Sequence, residues 1–113
     1  MEISAVFKAL GDPTRYAIFE MLLKNKRCVR YLSRKLGITE SAVSQHLKIL
    51  TCAGLTEHEK FGHHTHYYAS REALAKLSSQ VAEMHRLSEK IVCETDECEC
   101  KTDKRGSTDG HTA

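Results

Sequence analysis

Residues 28–55 read CVRYLSRKLGITESAVSQHLKILTCAGL. Over 28–36, Val29, Leu32 and Leu36 recur at helical spacing. Gly37 follows in the place of a left-handed residue that closes a helix. Ile38 and Thr39 make the turn. Thr39 can cap a second helix with its hydroxyl, and Glu40 in the first turn matches the positive end of the helix dipole. This second helix runs to Ala53 and is ended by Gly54. Val43, Leu47 and Leu50 face inward, which leaves Ser41, Ser44, Gln45 and Lys48 on the other side. Two helices joined by so tight a turn form a helix-turn-helix.

Working outward, the single proline, Pro13, stands at the first position of a helix with Asp12 as its cap. Gly11 closes the helix before it. The spacing predicts one helix over about 2–10, with Ile3, Val6, Phe7 and Leu10 inward. It predicts another over about 13–24, apolar nearly all round through Ala17, Ile18, Phe19, Met21, Leu22 and Leu23. Beyond Gly54, Leu55–Lys60 and Thr65–Ala69 read as two strands around Phe61-Gly62-His63-His64. Ser70 caps a last helix over about 71–92, whose Leu74, Leu77, Val81, Met84 and Ile91 form a seam for another helix. The order α-α-α-α-β-β-α is that of a mainly α winged helix-turn-helix. Residues 1–92 make up this domain. Residues 93–113 form a Cys-containing acidic tail in which the apolar pattern stops, and disorder is expected there.

The wording of three segments carries a resemblance. KALGDPTRYAIFEML (8–22), the stretch 28–55 quoted above, and a hairpin ending HYYAS (66–70) are similar to the ArsR/SmtB family of metal-responsive repressors. The resemblance covers roughly residues 5–92. It implies a homodimer paired through the first and last helices, an operator DNA with imperfect two-fold symmetry, and release of that DNA when an inducer binds.

On the second helix of the helix-turn-helix, Ser41, Ser44, Gln45 and Lys48 are positioned to meet base edges and phosphates in a major groove. Gln45 is the best base reader because its amide can pair bidentately with adenine, whereas Lys48 suits phosphate. His46 lies at the edge of the inward face and either packs there or reads DNA. Arg30, Arg34 and Lys35 on the preceding helix are phosphate candidates. The family tends to place Arg or Lys near the wing tip. Here the tip reads Gly62-His63-His64-Thr65-His66, and neutral imidazoles bind phosphate less well than guanidinium. His63 and His64 are assigned to DNA. With His58 and His66 they form an alternative metal-binding set.

Five cysteines, an odd number, suit free thiols in a reducing compartment. One family site uses acidic and His ligands on the last helix. Counting from Tyr68, this chain offers Glu72, Leu74, His85 and Ser88 there, and Leu74 and Ser88 cannot ligate. Another uses Cys-x-Cys at the start of the third helix. Cys28 is present, but Arg30 occupies the second position. The tail supplies Cys93, Cys98 and Cys100. Three thiolates suit As(III) or Sb(III), and with Cys28 as a fourth they suit a Zn, Cd or Pb-type cation. The effector is therefore read as a thiolate-bound metal or metalloid ion held by Cys93, Cys98, Cys100 and Cys28. The alternatives are a thiol redox or persulfide sensor on the same fold, or a soft-metal scavenger that no longer binds DNA. Cys52 reads as a small apolar filler.

Composition agrees with this reading. At 113 residues the chain holds one small domain and a tail. Residues 1–92 carry 14 Lys and Arg against 9 Asp and Glu, while 93–113 carry 3 against 6, so a basic body precedes an acidic end. A basic body suits a polyanionic partner. The sequence contains no nucleophile elbow, phosphate loop, HExxH or paired-carboxylate frame, and an enzyme is not expected. No apolar run is long enough to span a bilayer, and no signal peptide is legible, which makes the cytoplasm the expected address.

Overall fold

The structure, a computed structural model, describes residues 2–93. Its elements are α1 (Ile3–Leu10), α2 (Pro13–Lys24), α3 (Val29–Leu36), α4 (Glu40–Cys52), β1 (Thr56–Phe61), β2 (His64–Ala69) and α5 (Arg71–Ser88). The chain divides into two compact units, Met1–Ala82 and Glu83–Ala113.

The first unit is built on one apolar cluster. Val6 and Ala9 of α1, Ile18, Phe19 and Leu22 of α2, Leu32 of α3, and Val43, Leu47 and Leu50 of α4 are buried together with Leu55. The inward face expected for α4 is found as read. On α1 the face is rotated: Ala9 is buried, whereas Phe7 is 47% exposed. Leu23 also faces out, so α2 is buried on one side rather than all round. From α5, Leu74 and Leu77 pack against this cluster and belong to the subunit's own core, while Val81 is exposed.

The turn between α3 and α4 is locked by its own atoms. Gly37 takes φ +69. This lets the backbone N–H groups of Gly37 and Ile38 both donate to the Ser33 carbonyl, at 2.9 and 3.3 Å. The Ser33 hydroxyl donates to the Ile38 carbonyl at 2.5 Å. Thr39 then accepts from the Ala42 N–H at 3.0 Å as the cap of α4. Both the left-handed residue and the cap stand where the sequence places them.

The hairpin is tighter than expected. β1 and β2 are antiparallel and pair through to Phe61 opposite His64, leaving Gly62-His63 as a two-residue turn. Gly62 takes φ +67, the sign such turns need. A further bridge joins Arg27 to Tyr67. The Arg27 N–H donates to the Tyr67 carbonyl at 2.9 Å, and the Tyr67 N–H donates back at 2.8 Å. This ties the base of the hairpin to the segment before α3. The Ser70 N–H donates to the Leu55 carbonyl, and the Ser70 hydroxyl caps α5 at the Ala73 N–H.

In the second unit α5 ends at Ser88, about one turn before the expected 92. The N–H groups of Glu89, Lys90 and Ile91 fall back on carbonyls three residues behind them. The Ser88 hydroxyl donates to the His85 carbonyl, a local bond that competes with helix continuation. The β-branched pair Ile91-Val92 follows. Ile91 therefore lies outside the helix whose seam it was expected to join.

Gly37→Ala forces a Cβ into the left-handed region and is expected to lower stability by about 1–2 kcal/mol, read as a shifted urea midpoint with an unchanged slope. A second expectation concerns Asp12, whose carboxylate accepts the Arg15 N–H at 2.9 Å. That hydrogen bond is the main reason its pKa lies below the ordinary 3.8. Desolvation opposes the shift, and the charges of Arg15 and His46 add to it. A depressed folded-state pKa contributes stability above about pH 3.8 that is lost as pH falls through the folded value. Asp12→Asn keeps the cap geometry but removes the charge. The variant should be less stable than wild type at pH 6, and the difference should vanish on acidification below 3.8. A difference that does not change with pH would place the effect elsewhere.

Candidate nucleic-acid interface

α4 presents two faces. Burial of Val43, Leu47 and Leu50 turns Ser41, Ser44, Gln45 and Lys48 outward, and all four are exposed. Their i, i+3, i+4, i+7 spacing puts them in one row along the helix. None accepts or donates a side-chain hydrogen bond within the described residues. The row thus offers two hydroxyls, one amide and one ammonium group to an external partner.

His46 stands apart from that row. It is half-buried, and its Nδ1 lies 3.4 Å from Nη1 of Arg15. Arg15 also donates through Nε to the Ala9 carbonyl at 2.6 Å and through Nη2 to the Lys8 carbonyl at 3.5 Å. These are carbonyls of the last turn of α1, where the Lys8 carbonyl also accepts the Gly11 N–H at 3.2 Å. One guanidinium thus ties the end of α1 to α4. Sequence reasoning quoted the GDPTR segment but missed this task of Arg15, because the His46 partner is far along the chain.

On α3, Arg30, Arg34 and Lys35 are exposed. Arg30 Nε lies 3.9 Å from Glu40 Oε2, a loose surface pair that contributes little to stability. Lys35 lies 5.8 Å from the centroid of the Tyr31 ring. Arg27 stacks on the same ring at 4.0 Å, and its Nε is buried without a partner. At the hairpin turn His63 and His64 are exposed, while His66 is half-buried with its ring 5.5 Å from Phe61. His58 packs on Tyr67 at 5.5 Å.

The hairpin base carries its own charge pairing. Lys26 Nζ lies 2.6 Å from Glu59 Oε2 and 5.1 Å from the centre of the Tyr68 ring. The bond to Glu59 raises the Lys26 pKa, and desolvation, then Glu57 and Glu59, raise that of Tyr68. With the Arg27–Tyr67 bridge, these contacts hold the hairpin to the start of the helix-turn-helix. No sequence signal announced them, since each links residues some 30–40 positions apart.

Among the thiols, Cys28 occupies the N-cap position of α3 and is half-buried, with no side-chain cap bond. Cys52 and Cys93 are exposed, and all three are free. Cys98 and Cys100 lie outside the described residues. Among the described residues no three His, Cys, Asp or Glu side chains are grouped to hold a metal ion. The wing histidines therefore make no such cluster. No helix among the described residues is long and apolar enough to cross a membrane.

Comparison with known proteins supplies the family. Residues 12–57 match the family model described as "Bacterial regulatory protein, arsR family". The chain is similar to the arsenical resistance operon repressor of Bacillus subtilis, at 37% identity over 75 residues, which is 66% of this chain and 71% of the relative. Its fold matches an ArsR-like transcriptional regulator from Rhodococcus at a TM-score of 0.71 and 28% identity, covering 77% of this chain and 82% of that one. It also matches a homodimeric winged helix-turn-helix DNA-binding domain from Mycobacterium bovis at a TM-score of 0.62 and 26% identity, covering 74% and 78%. With a DNA-binding motif, a wing and an exposed polar row on the second helix of that motif, the chain belongs to the ArsR family of helix-turn-helix transcriptional regulators.

Proposed function

We propose that the protein is a homodimeric transcriptional repressor that binds operator DNA through α4 and releases it when cysteine thiolates capture a metal or metalloid ion. The observation that carries the DNA half is the exposed row Ser41, Ser44, Gln45 and Lys48, set on a helix whose opposite face is buried. Gln45 reads a base edge, and Lys48, Arg30, Arg34 and Lys35 meet phosphates. His63 and His64 at the wing tip provide further contacts. His46 acts through Arg15 by holding α4 in place rather than by reading DNA.

The dimer reading is supported by the named homodimeric relative and by apolar side chains left in water. Phe7 on α1 and Val81 on α5 are each 47% exposed. A chain this short gains from burying such surface against a second copy. Residues 1–92 then serve as the DNA-binding and dimerisation domain, and 93–113 as the sensing tail. An intracellular, cytoplasmic setting keeps the thiols reduced.

The effector half is supported by the thiols and by the named relative that governs arsenical resistance. Cys28 and Cys93 are free, and Cys98 and Cys100 complete a set of four. Three thiolates fit As(III) or Sb(III), and four fit Zn, Cd or Pb-type cations. An ion bonded to Cys28 would sit at the N-terminus of α3, next to Arg27 and its two bonds to the wing.

Three outcomes are expected. Gln45→Ala should weaken operator binding by about 1–3 kcal/mol and relax base preference at one position per half-site. Lys48→Ala should weaken specific and random DNA alike and reduce the salt slope by about 1. An equal loss on both DNAs for Gln45→Ala would reassign it to positioning. The sensing half is tested by Cys98→Ser with Cys100→Ser, which should retain operator binding but lose release by arsenite or cadmium. Fluorescence anisotropy under reducing conditions reads both, and release at wild-type effector concentrations would remove the tail from the sensor.

A further inference from the structure

α1 and α4 leave between them a groove of about 490 Å³, within the range of small-molecule sites. Ala5, Ile49, Cys52 and Ala53, with the buried Ala9 behind them, form its apolar surface, and Ile49 is 44% exposed. Lys8, Arg15 and Lys48 line it as well, and none of the lining residues is acidic. Lys8 and Lys48 make no ion pair among the described residues. Arg15 commits three of its five N–H donors to Ala9, Lys8 and His46, which leaves two. Three cations beside an apolar surface without a compensating carboxylate are complementary to one kind of small molecule, an anion carrying a hydrocarbon body.

We propose that this groove binds an organic monocarboxylate with an apolar chain of medium length. The carboxylate lies among Lys8, Arg15 and Lys48, and the chain covers Ile49 and Ala53. Cys52 lies on the groove wall, whereas Cys28 and Cys93 do not line it. Lys48 belongs both to the groove and to the exposed row of α4, so a carboxylate bound there withdraws a phosphate contact and lowers DNA affinity. That coupling rests on the DNA-binding reading above. The binding itself does not.

Decanoate titrated calorimetrically into the full-length protein without DNA is the direct test. Saturable binding is expected, about tenfold weaker for Lys8→Gln, for Ile49→Ala, and for the uncharged probe decanol. Octanoate, two methylenes shorter, should bind about sixteenfold more weakly, because each buried methylene contributes roughly fourfold. Ile49 lies outside the DNA row, so Ile49→Ala should keep operator affinity and lose only its sensitivity to decanoate. Failure to see saturable binding up to about 1 mM overturns the proposal, and a second copy or the acidic tail filling the groove would give that result. Equal binding by wild type and Ile49→Ala overturns it too. Binding with unchanged operator affinity overturns the shared role of Lys48. Loss of operator binding in the unliganded protein overturns the DNA reading, and the groove is then judged on the titration alone.

Discussion

The guanidinium of Arg15 ties the end of α1 and the start of α2 to α4, beside the apolar core in which α4 is seated. Its backbone N–H is held by the Asp12 cap, which fixes the start of α2. Its side chain reaches back to the Ala9 and Lys8 carbonyls at the end of α1 and across to His46 on α4. Carbonyls at a helix end need donors, and a charged donor meets that need more strongly than a neutral one. A single residue therefore joins α1, α2 and the helix that presents Gln45 and Lys48. Beside it, Val6, Ile18, Leu47 and Leu50 close the core.

A second set of constraints frames the interface from the other side. The α3–α4 angle is held by Ser33 on both of its polar groups, with Gly37 supplying the one backbone conformation that permits it. The wing is held by two backbone hydrogen bonds between Arg27 and Tyr67, and by the Lys26–Glu59 pair nearby. Cys28 follows Arg27 directly. The Cys28 thiol therefore lies one residue from the backbone bridge to the wing.

The exposed apolar side chains complete the picture. Phe7, Leu23 and Val81 are apolar by sequence and face water in the single chain. Scattered apolar residues on a surface are ordinary, but here two of them lie on the helices that the family resemblance assigns to dimer contact. The groove beside Arg15 is of another kind, since its apolar surface is joined by cations.

Sequence alone determined the elements and the inward face of α4. Local chemistry was sufficient there: Asp12-Pro13 starts α2, Gly37 and Thr39 punctuate α3 and α4, and Ser70 starts α5. The row Ser41, Ser44, Gln45 and Lys48 was legible because periodicity that buries Val43, Leu47 and Leu50 leaves no other place for it. The rotation of α1, which buries Ala9 and exposes Phe7, was not legible, because an eight-residue helix with apolar groups on two sides has no unique inward face until neighbours choose one. The early end of α5 was also hidden, since no Gly or Pro marks it and a serine hydroxyl competes instead. The bridges Arg15–His46 and Arg27–Tyr67 were beyond sequence for a third reason. Each joins residues far apart in the chain, and only the folded backbone brings the two donors to their acceptors.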